Sequence, residues 1–533
     1  MRPSLSQDDA GAARPRSGHS VSAWIYARVL GLCLAGAFVV LWRQAPGLIG
    51  AHGIAPLDAT LASLRERYGE DAWWRAPTLL WLAPAGASGL AFARALALAG
   101  LGAGLLLACG VLQRAACVAA FACYLAFSAL EHEGWFLFNW PYDQLLLEST
   151  FAAIAFVPGA TRARWNERRE PPRVARWLVI WCAFRLYFGC GITKWLAESS
   201  LWLDGSATQA FLVTMPSPRP EAQLVFDAPR WFHVATCYGT LAYELVGPLL
   251  FFVPGRARLL SALAGIALMI GVSAFGNFRG LTILSCGVLL PLVDDRAWSR
   301  VLPRRWTARG AAADDDSASA NAPPRSRLAV LIAAPVLLAS TVSVLTQLGF
   351  DPPARLPWLA RAATPVVGCY VGNSYSMFCV IPKHRAQLVF EATQDGEHWS
   401  EYQPLGAPAR LDRPPTRHAP GHNYLAFLLW LGAFAPEAFQ ARFLPAVQRG
   451  LVDARPEILA LFDELPFDGA RVRAVRCVKY VYSYASAAER ARGLYWHREP
   501  RALVLAPLEA SAPLEASAPL ELEAPSAPVT APR

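Results

Sequence analysis

The chain has 533 residues, 54% of them hydrophobic and only 17% charged, with 19 tryptophans and a formal net charge of +9. It is too long for one ordinary soluble domain, and apolar runs near twenty residues recur, so it reads as a multi-span membrane protein. The positive charge does not imply a nucleic-acid partner, because the basic residues fall mainly in short loops between apolar runs, where membrane topology accounts for them.

Residues 1–23 form a polar cytoplasmic N-terminus carrying Arg2, Arg14 and Arg16. No small-residue cleavage site follows the first apolar run, so a retained span is expected instead of a signal peptide. Nine apolar segments follow at 24–42, 90–110, 115–131, 143–158, 177–196, 231–253, 257–275, 279–293 and 328–348. Basic clusters recur between them, at Arg162 to Arg176, at Arg256 and Arg258, and at Arg296 to Arg309. With nine spans every such loop shares one side with the N-terminus, so the positive-inside rule sends the C-terminus to the far side.

The bundle of eight spans, 24–293, is followed by a polar linker at 294–327 and a ninth span at 328–348. Residues 360–500 read as an exported α+β domain with a β-sandwich-like part. Leu388 to Ala392 and Trp399 to Tyr402 flank Asp395-Gly396, a strong hairpin signal. Helical patterns follow at 423–434, 437–452 and 456–464, with a strand-like run at 471–484. Residues 501–533 repeat Ala-Pro-Leu-Glu-Ala-Ser and read as a disordered low-complexity tail. Only three of the 49 basic residues are lysine. That bias, with abundant Ala and Pro, points to a GC-rich bacterial source and a bacterial inner membrane. If the source is eukaryotic, the endoplasmic reticulum membrane takes its place.

A carboxylate within hydrocarbon costs about 2.5–3.5 kcal/mol or more, so charges in the spans are the first place to look for function. Five stand out: Asp143 and Glu148 in span four, Arg185 and Lys194 in span five, and Glu244 in span six. They could form one buried polar site where these spans meet, with Lys194 as base or anion clamp. The competing reading is structural pairing, such as Arg185 with Glu148 or Glu244. Lys194 is the only lysine in the membrane part and follows Gly189, Gly191 and Thr193. Arg185 and Lys194, nine residues apart, should project on nearly opposite sides of a helix.

The eleven cysteines contain no C-x-x-C pair and no zinc-spaced cluster, so no metal site is expected. Cys369 and Cys379 straddle a turn at Asn373-Ser374, where a disulfide is one open reading. His132 and His233 lie near the outer boundary beside aromatics and are read as interfacial packing. No nucleophile elbow, zinc-protease motif, phosphate loop or dinucleotide fingerprint is present, and no cofactor is expected. An enzyme is the less favoured class.

Four blocks together resemble the lipase maturation factor family. They are Gln44 to Gly50 with Gly53-Ile54; Asn139 to Asp143 with Leu145 to Glu148; Phe184-Arg185 with Gly189 to Lys194; and an outer block with Asn373 to Phe378, Asp395 to Trp399 and Leu411 to Pro415. After the double proline the chain departs from the family pattern, with His422-Asn423-Tyr424-Leu425. The resemblance implies a polytopic, chaperone-like membrane protein that helps exported lipases or other secreted clients mature. The C-terminal domain would contact the client, with Tyr375, Phe378, Trp399 and Tyr402 as contact residues or, alternatively, as core. The partners are then the lipid bilayer and that client. Gly191 to Lys194 is also distantly similar to a segment of vitamin K-dependent carboxylase. That likeness implies an alternative, an intramembrane enzyme of a quinone-like substrate built around Lys194, Glu148 and Arg185.

Overall fold

The computed structural model describes residues 18–131, 138, 140–198, 201–303, 323–418 and 421–510. His132 and the Asp314 to Asp316 run of the linker lie outside them. In chain order the helices of the membrane part are α1 (Ser20–Ile49), α2 (Leu57–Tyr68), α3 (Ala72–Arg75), α4 (Ala87–Cys109), α5 (Gln113–Ser128), α6 (Pro141–Phe156) and α7 (Arg173–Leu196). They continue with α8 (Ala207–Thr214), α9 (Glu221–Phe226), α10 (Arg230–Val246), α11 (Arg256–Phe275), α12 (Arg279–Gly287), α13 (Asp295–Val301), α14 (Pro323–Gln347), α15 (Pro352–Arg355) and α16 (Pro357–Val367).

Among the described residues, six stretches are long and apolar enough to cross a membrane: Ser20–Ile49, Ala87–Cys109, Arg173–Leu196, Arg230–Phe252, Arg256–Phe275 and Arg327–Gln347. The segments read as spans at 115–131 and 143–158 become α5 and α6, of 16 residues each. Sixteen residues rise about 24 Å, short of the roughly 30 Å hydrocarbon core. The segment at 279–293 breaks after α12 into a short 3₁₀ turn at Leu290–Leu292. Nine full spans therefore do not follow from these lengths. Of these short elements α6 is buried along nearly its whole length, whereas α5 exposes Val118 and α12 exposes Ile283.

Small residues set the crossing of α1 and α4. A Cβ on Gly31 would lie 2.5 Å from the Ala108 nitrogen, and one on Gly104 2.8 Å from that of Ala35. Only glycine lets α1 and α4 approach this far. At its start α1 offers unpaired amides, and the Asp295 carboxylate takes those of Ser20 (3.2 Å) and Val21 (3.0 Å). Glu170 takes the His19 amide at 2.8 Å. The start of α1 and the loops after α6 and α12 thus meet at one end of the bundle.

The C-terminal domain covers the other end. It comprises β1 (Arg385–Thr393), β2 (Ser400–Glu401), β3 (Gln403–Pro404), α17 (Tyr424–Gly432), α18 (Glu437–Gln440), α19 (Leu444–Val452), α20 (Pro456–Leu459), β4 (Phe462–Glu464), β5 (Ala474–Tyr484) and β6 (Trp496–Glu509). The main sheet is antiparallel with order β2-β1-β5-β6, and β3 and β4 pair separately. The hairpin forms at Asp395-Gly396, with Glu391 opposite Glu401. Asp395 takes the amides of Glu397 and His398 (both 2.8 Å), which holds its carboxyl well below the usual range.

In place of a sandwich, α17 and α19 back this one sheet; Gln448 of α19 donates to the carbonyls of Val475 (2.8 Å) and Ala506 (2.7 Å). The strand β6 runs to Glu509, so the stretch read as a tail from 501 begins as an edge strand, with Leu508 opposite Val475. Its prolines, Pro500 and Pro507, are tolerated because an edge strand has one side of its backbone unpaired. All eleven cysteines are free, and the Cys369 thiol donates to the Pro365 carbonyl instead of bridging to Cys379.

Candidate functional site

The five intramembrane charges separate into two buried ion pairs and a helix cap. Asp143 is third in α6, after Pro141, and turns back to accept the Trp140 amide at 2.8 Å. Tyr124 donates its hydroxyl to the same carboxylate. That is a capping arrangement, and it keeps Asp143 out of the polar centre expected from sequence.

Glu148 and Arg185 form a bidentate pair between α6 and α7, with both side chains 1% exposed. The cluster sequence reasoning missed closes over this pair. After α14 and α16 the chain returns into the bundle, and Gly372 packs on the backbone of Val336 and Ser340. Ser340 is seven residues before the end of α14, about 10 Å down the helix axis. There the Asn373 amide (3.0 Å), the Asn373 side chain (3.3 Å) and the Tyr375 hydroxyl (3.0 Å) all donate to Glu148 Oε2. Arg185 in turn donates to the Asn373 carbonyl. Non-helical backbone at this depth is tolerable only because protein surrounds it and satisfies it. Gln347 supplies more of that satisfaction, donating to the carbonyls of Tyr375 (2.6 Å) and Gly189 (3.2 Å).

Lys194 lies on the opposite side of α7, as a nine-residue spacing requires, and pairs with Glu244 of α10 at 2.7 Å. Its ammonium also donates to the Cys190 carbonyl (3.4 Å) and lies 5.0 Å from the centre of the Trp202 ring. Trp202 donates to the Phe378 carbonyl at 2.9 Å, so the returning segment touches this pair as well.

The glycines before Lys194 now have a physical reason. A Cβ on Gly189 would meet the Tyr375 carbonyl at 2.6 Å, and one on Gly191 would meet Glu244 at 2.8 Å. Each neighbour is backbone or anchored side chain, so it cannot yield cheaply. Gly191→Ala is expected to lower stability by about 1–3 kcal/mol, while Gly239→Ala, with nothing within 4 Å, serves as a neutral control. Thermal unfolding of the two variants in the same detergent reads the difference.

The aromatic residues proposed for client contact divide by burial. Tyr375 (1%) and Tyr402 (3%) are interior: Tyr375 serves the ion pair, and Tyr402 packs on Phe462. Phe378 is half-buried between Phe211 and Phe278. Trp399 is half-buried under the Arg476 guanidinium, 4.0 Å from its ring centre. His233 is buried beside Phe232. Among the described residues, no group of three or more His, Cys, Asp or Glu is placed to hold a metal.

A second contact fastens the two parts together, at the C-terminal end of α8. Five successive carbonyls there, 212 to 216, accept from the C-terminal domain. The Tyr484 hydroxyl takes Leu212 (2.8 Å) and the Trp430 indole takes Thr214 (2.7 Å). Arg385, fully buried, takes Val213 (3.1 Å), Met215 and Pro216 (3.2 Å). A cation suits a helix C-terminus, where the peptide dipoles leave partial negative charge. Burial draws the Arg385 guanidinium down to about 10, so it stays charged at neutral pH.

These features define a polytopic membrane protein whose C-terminal α+β domain is anchored to its own helix bundle. Residues 21–300 match the lipase maturation factor transmembrane domain, and residues 371–506 match the lipase maturation factor C-terminal domain. The chain belongs to the lipase maturation factor family. It is similar to Lipase maturation factor 1 of Homo sapiens, at 26% identity over 93% of this chain and 90% of that protein. Lipase maturation factor 1 of Mus musculus is likewise 26% identical, over 95% and 91%. Lipase maturation factor 2 of Mus musculus is 24% identical over 87% and 79%. No solved structure matches the chain. These relatives are animal proteins and lend no support to a bacterial source or inner membrane.

Proposed function

We propose that this chain is a membrane-embedded maturation factor for secreted clients, lipases foremost, and that its C-terminal domain makes the client contact on the far side of the membrane from the N-terminus. The observation that carries this reading is the way the domain is held. Its inner side is committed to the bundle through the α8 clasp and the returning segment, while its opposite hairpin side stays open. An open polar cleft of about 580 Å³ lies there, lined by Ser400, Glu401, Asp412, Glu464, Phe467 and Asp468. Trp399 adjoins it. Phe467 and Asp468 both hold left-handed backbone (φ 52° and 53°), a conformation that costs non-glycine residues of order 1–3 kcal/mol each.

The alternative, an intramembrane reaction with Lys194 as base, finds that ammonium already engaged by Glu244. Trp399→Ala with Ser400→Arg tests the client reading in cells that co-express a secreted lipase. Lipase activity in the medium should fall several-fold at an unchanged level of the membrane protein. Undiminished lipase activity would remove the cleft from the client path. Deleting 360–500 is a poorer test, because it also strips Asn373 and Tyr375 from the buried pair.

A further inference from the structure

Six described tryptophans have more than a third of their surface exposed: Trp73 (53%), Trp74 (75%), Trp177 (37%), Trp195 (55%), Trp231 (70%) and Trp358 (68%). Their positions along the bundle are strongly one-sided. Trp177 is in the first turns of α7, at the end where α1 starts, and its ring stacks on Phe252. The other five are all at the end that carries the C-terminal domain. Trp73 and Trp74 are on α3, in the connection from α1 to α4. Trp195 is in the last turn of α7, beside Lys194, and Trp231 is in the first turn of α10. Trp358 is on α16, which follows α14 and packs near α3: a Cβ on Gly368 would lie 3.7 Å from the Arg75 carbonyl.

Five large rings left in water would cost each of them its apolar burial, about 25 cal/mol per Å². Indole has an apolar body and one N–H donor, which suits it to the boundary between lipid headgroups and acyl chains. Exposed aliphatic side chains accompany the rings at this end, notably Leu82 (64%), Leu203 (46%) and Val380 (67%). Exposed Arg75, Arg230, Arg355 and Arg361 stand close in sequence to them, as phosphate-facing cations do. The rings stand at the ends of long apolar helices whose flanks expose Leu98, Leu105, Leu263 and Ile270, which favours a bilayer over a protein partner as the occupant.

We propose that Trp73, Trp74, Trp195, Trp231 and Trp358 form a one-sided girdle seated in the headgroup–acyl boundary of the leaflet beneath the C-terminal domain, and that this girdle fixes how close the domain lies to the phospholipid surface. The full chain reconstituted in phosphatidylcholine vesicles tests it, compared with a variant carrying Trp73→Phe, Trp74→Phe, Trp231→Phe and Trp358→Phe. Trp195 is kept so that the neighbouring ion pair stays intact. Subtracting the variant's emission isolates the four exposed rings. Bromine on acyl carbons near the ester should quench that difference emission roughly two-fold, and bromine near the chain ends distinctly less. Two outcomes overturn the proposal. One is difference emission indifferent to brominated lipid but quenched by aqueous iodide. The other is emission that becomes shielded only when a denatured secreted lipase is added, which would make the surface a client site.

Discussion

Arg185→Met is expected to lower the stability of the membrane bundle by about 3–5 kcal/mol, because it leaves Glu148 buried without its counter-charge. The carboxylate keeps three donors from Asn373 and Tyr375, so the loss is not total. Glu148→Gln with Arg185 intact should cost a similar amount, for the converse reason. The double substitution should cost clearly less than the sum, since neither charge is then stranded. Thermal unfolding of the four proteins in one detergent gives the coupling. A further readout separates this pair from generic packing: amide hydrogen exchange over 370–378 should quicken in either single variant. Unchanged exchange there would mean that the returning segment does not depend on the pair.

The second large effect concerns Arg385. Arg385→Met keeps the bulk of the side chain but strands the Val213, Met215 and Pro216 carbonyls in a dry interface. Each stranded acceptor costs about 1–3 kcal/mol, offset in part because a guanidinium need no longer be desolvated. A net loss of about 3 kcal/mol is expected, concentrated between the domains and not within the sheet. Limited proteolysis should then cut near 213–218 in the variant while the wild type resists. A uniform fall in stability with no new cleavage there would contradict the clasp.

Several of these parts were legible in the chain. Asp395-Gly396 between two β-prone runs specified the hairpin, because left-handed Gly396 (φ 93°) and an Asp that hydrogen-bonds its own turn leave few alternatives. The long apolar runs gave the six helices that, among the described residues, are long and apolar enough to span, and the nine-residue spacing from Arg185 to Lys194 gave the opposite faces of those two charges. Hydropathy could not show that α5 and α6 stop at 16 residues, because a short helix packed in the bundle is as apolar as a longer one. The segment at 372–375 was also illegible in that way. Asn-Ser-Tyr reads as an exposed turn, and what reverses the reading is a pair of charges more than 180 residues upstream. The one available hint was the glycine pair at 189 and 191, small residues that announce a close neighbour without naming it. The end of β6 was missed because Pro, Ala and Glu look unstructured wherever the partner strand is unknown.

The distance along the chain between Glu148 and Asn373, 225 residues, has a consequence for biosynthesis. At roughly 5–20 residues per second, the ribosome needs roughly 10–45 s to supply the cap after the charge has entered the bilayer. Throughout that interval the newborn bundle carries an unfinished polar centre that lipid cannot satisfy. A chain that ends before Asn373 therefore keeps the Glu148–Arg185 pair without the donors that complete it, whatever the state of the rest of the bundle.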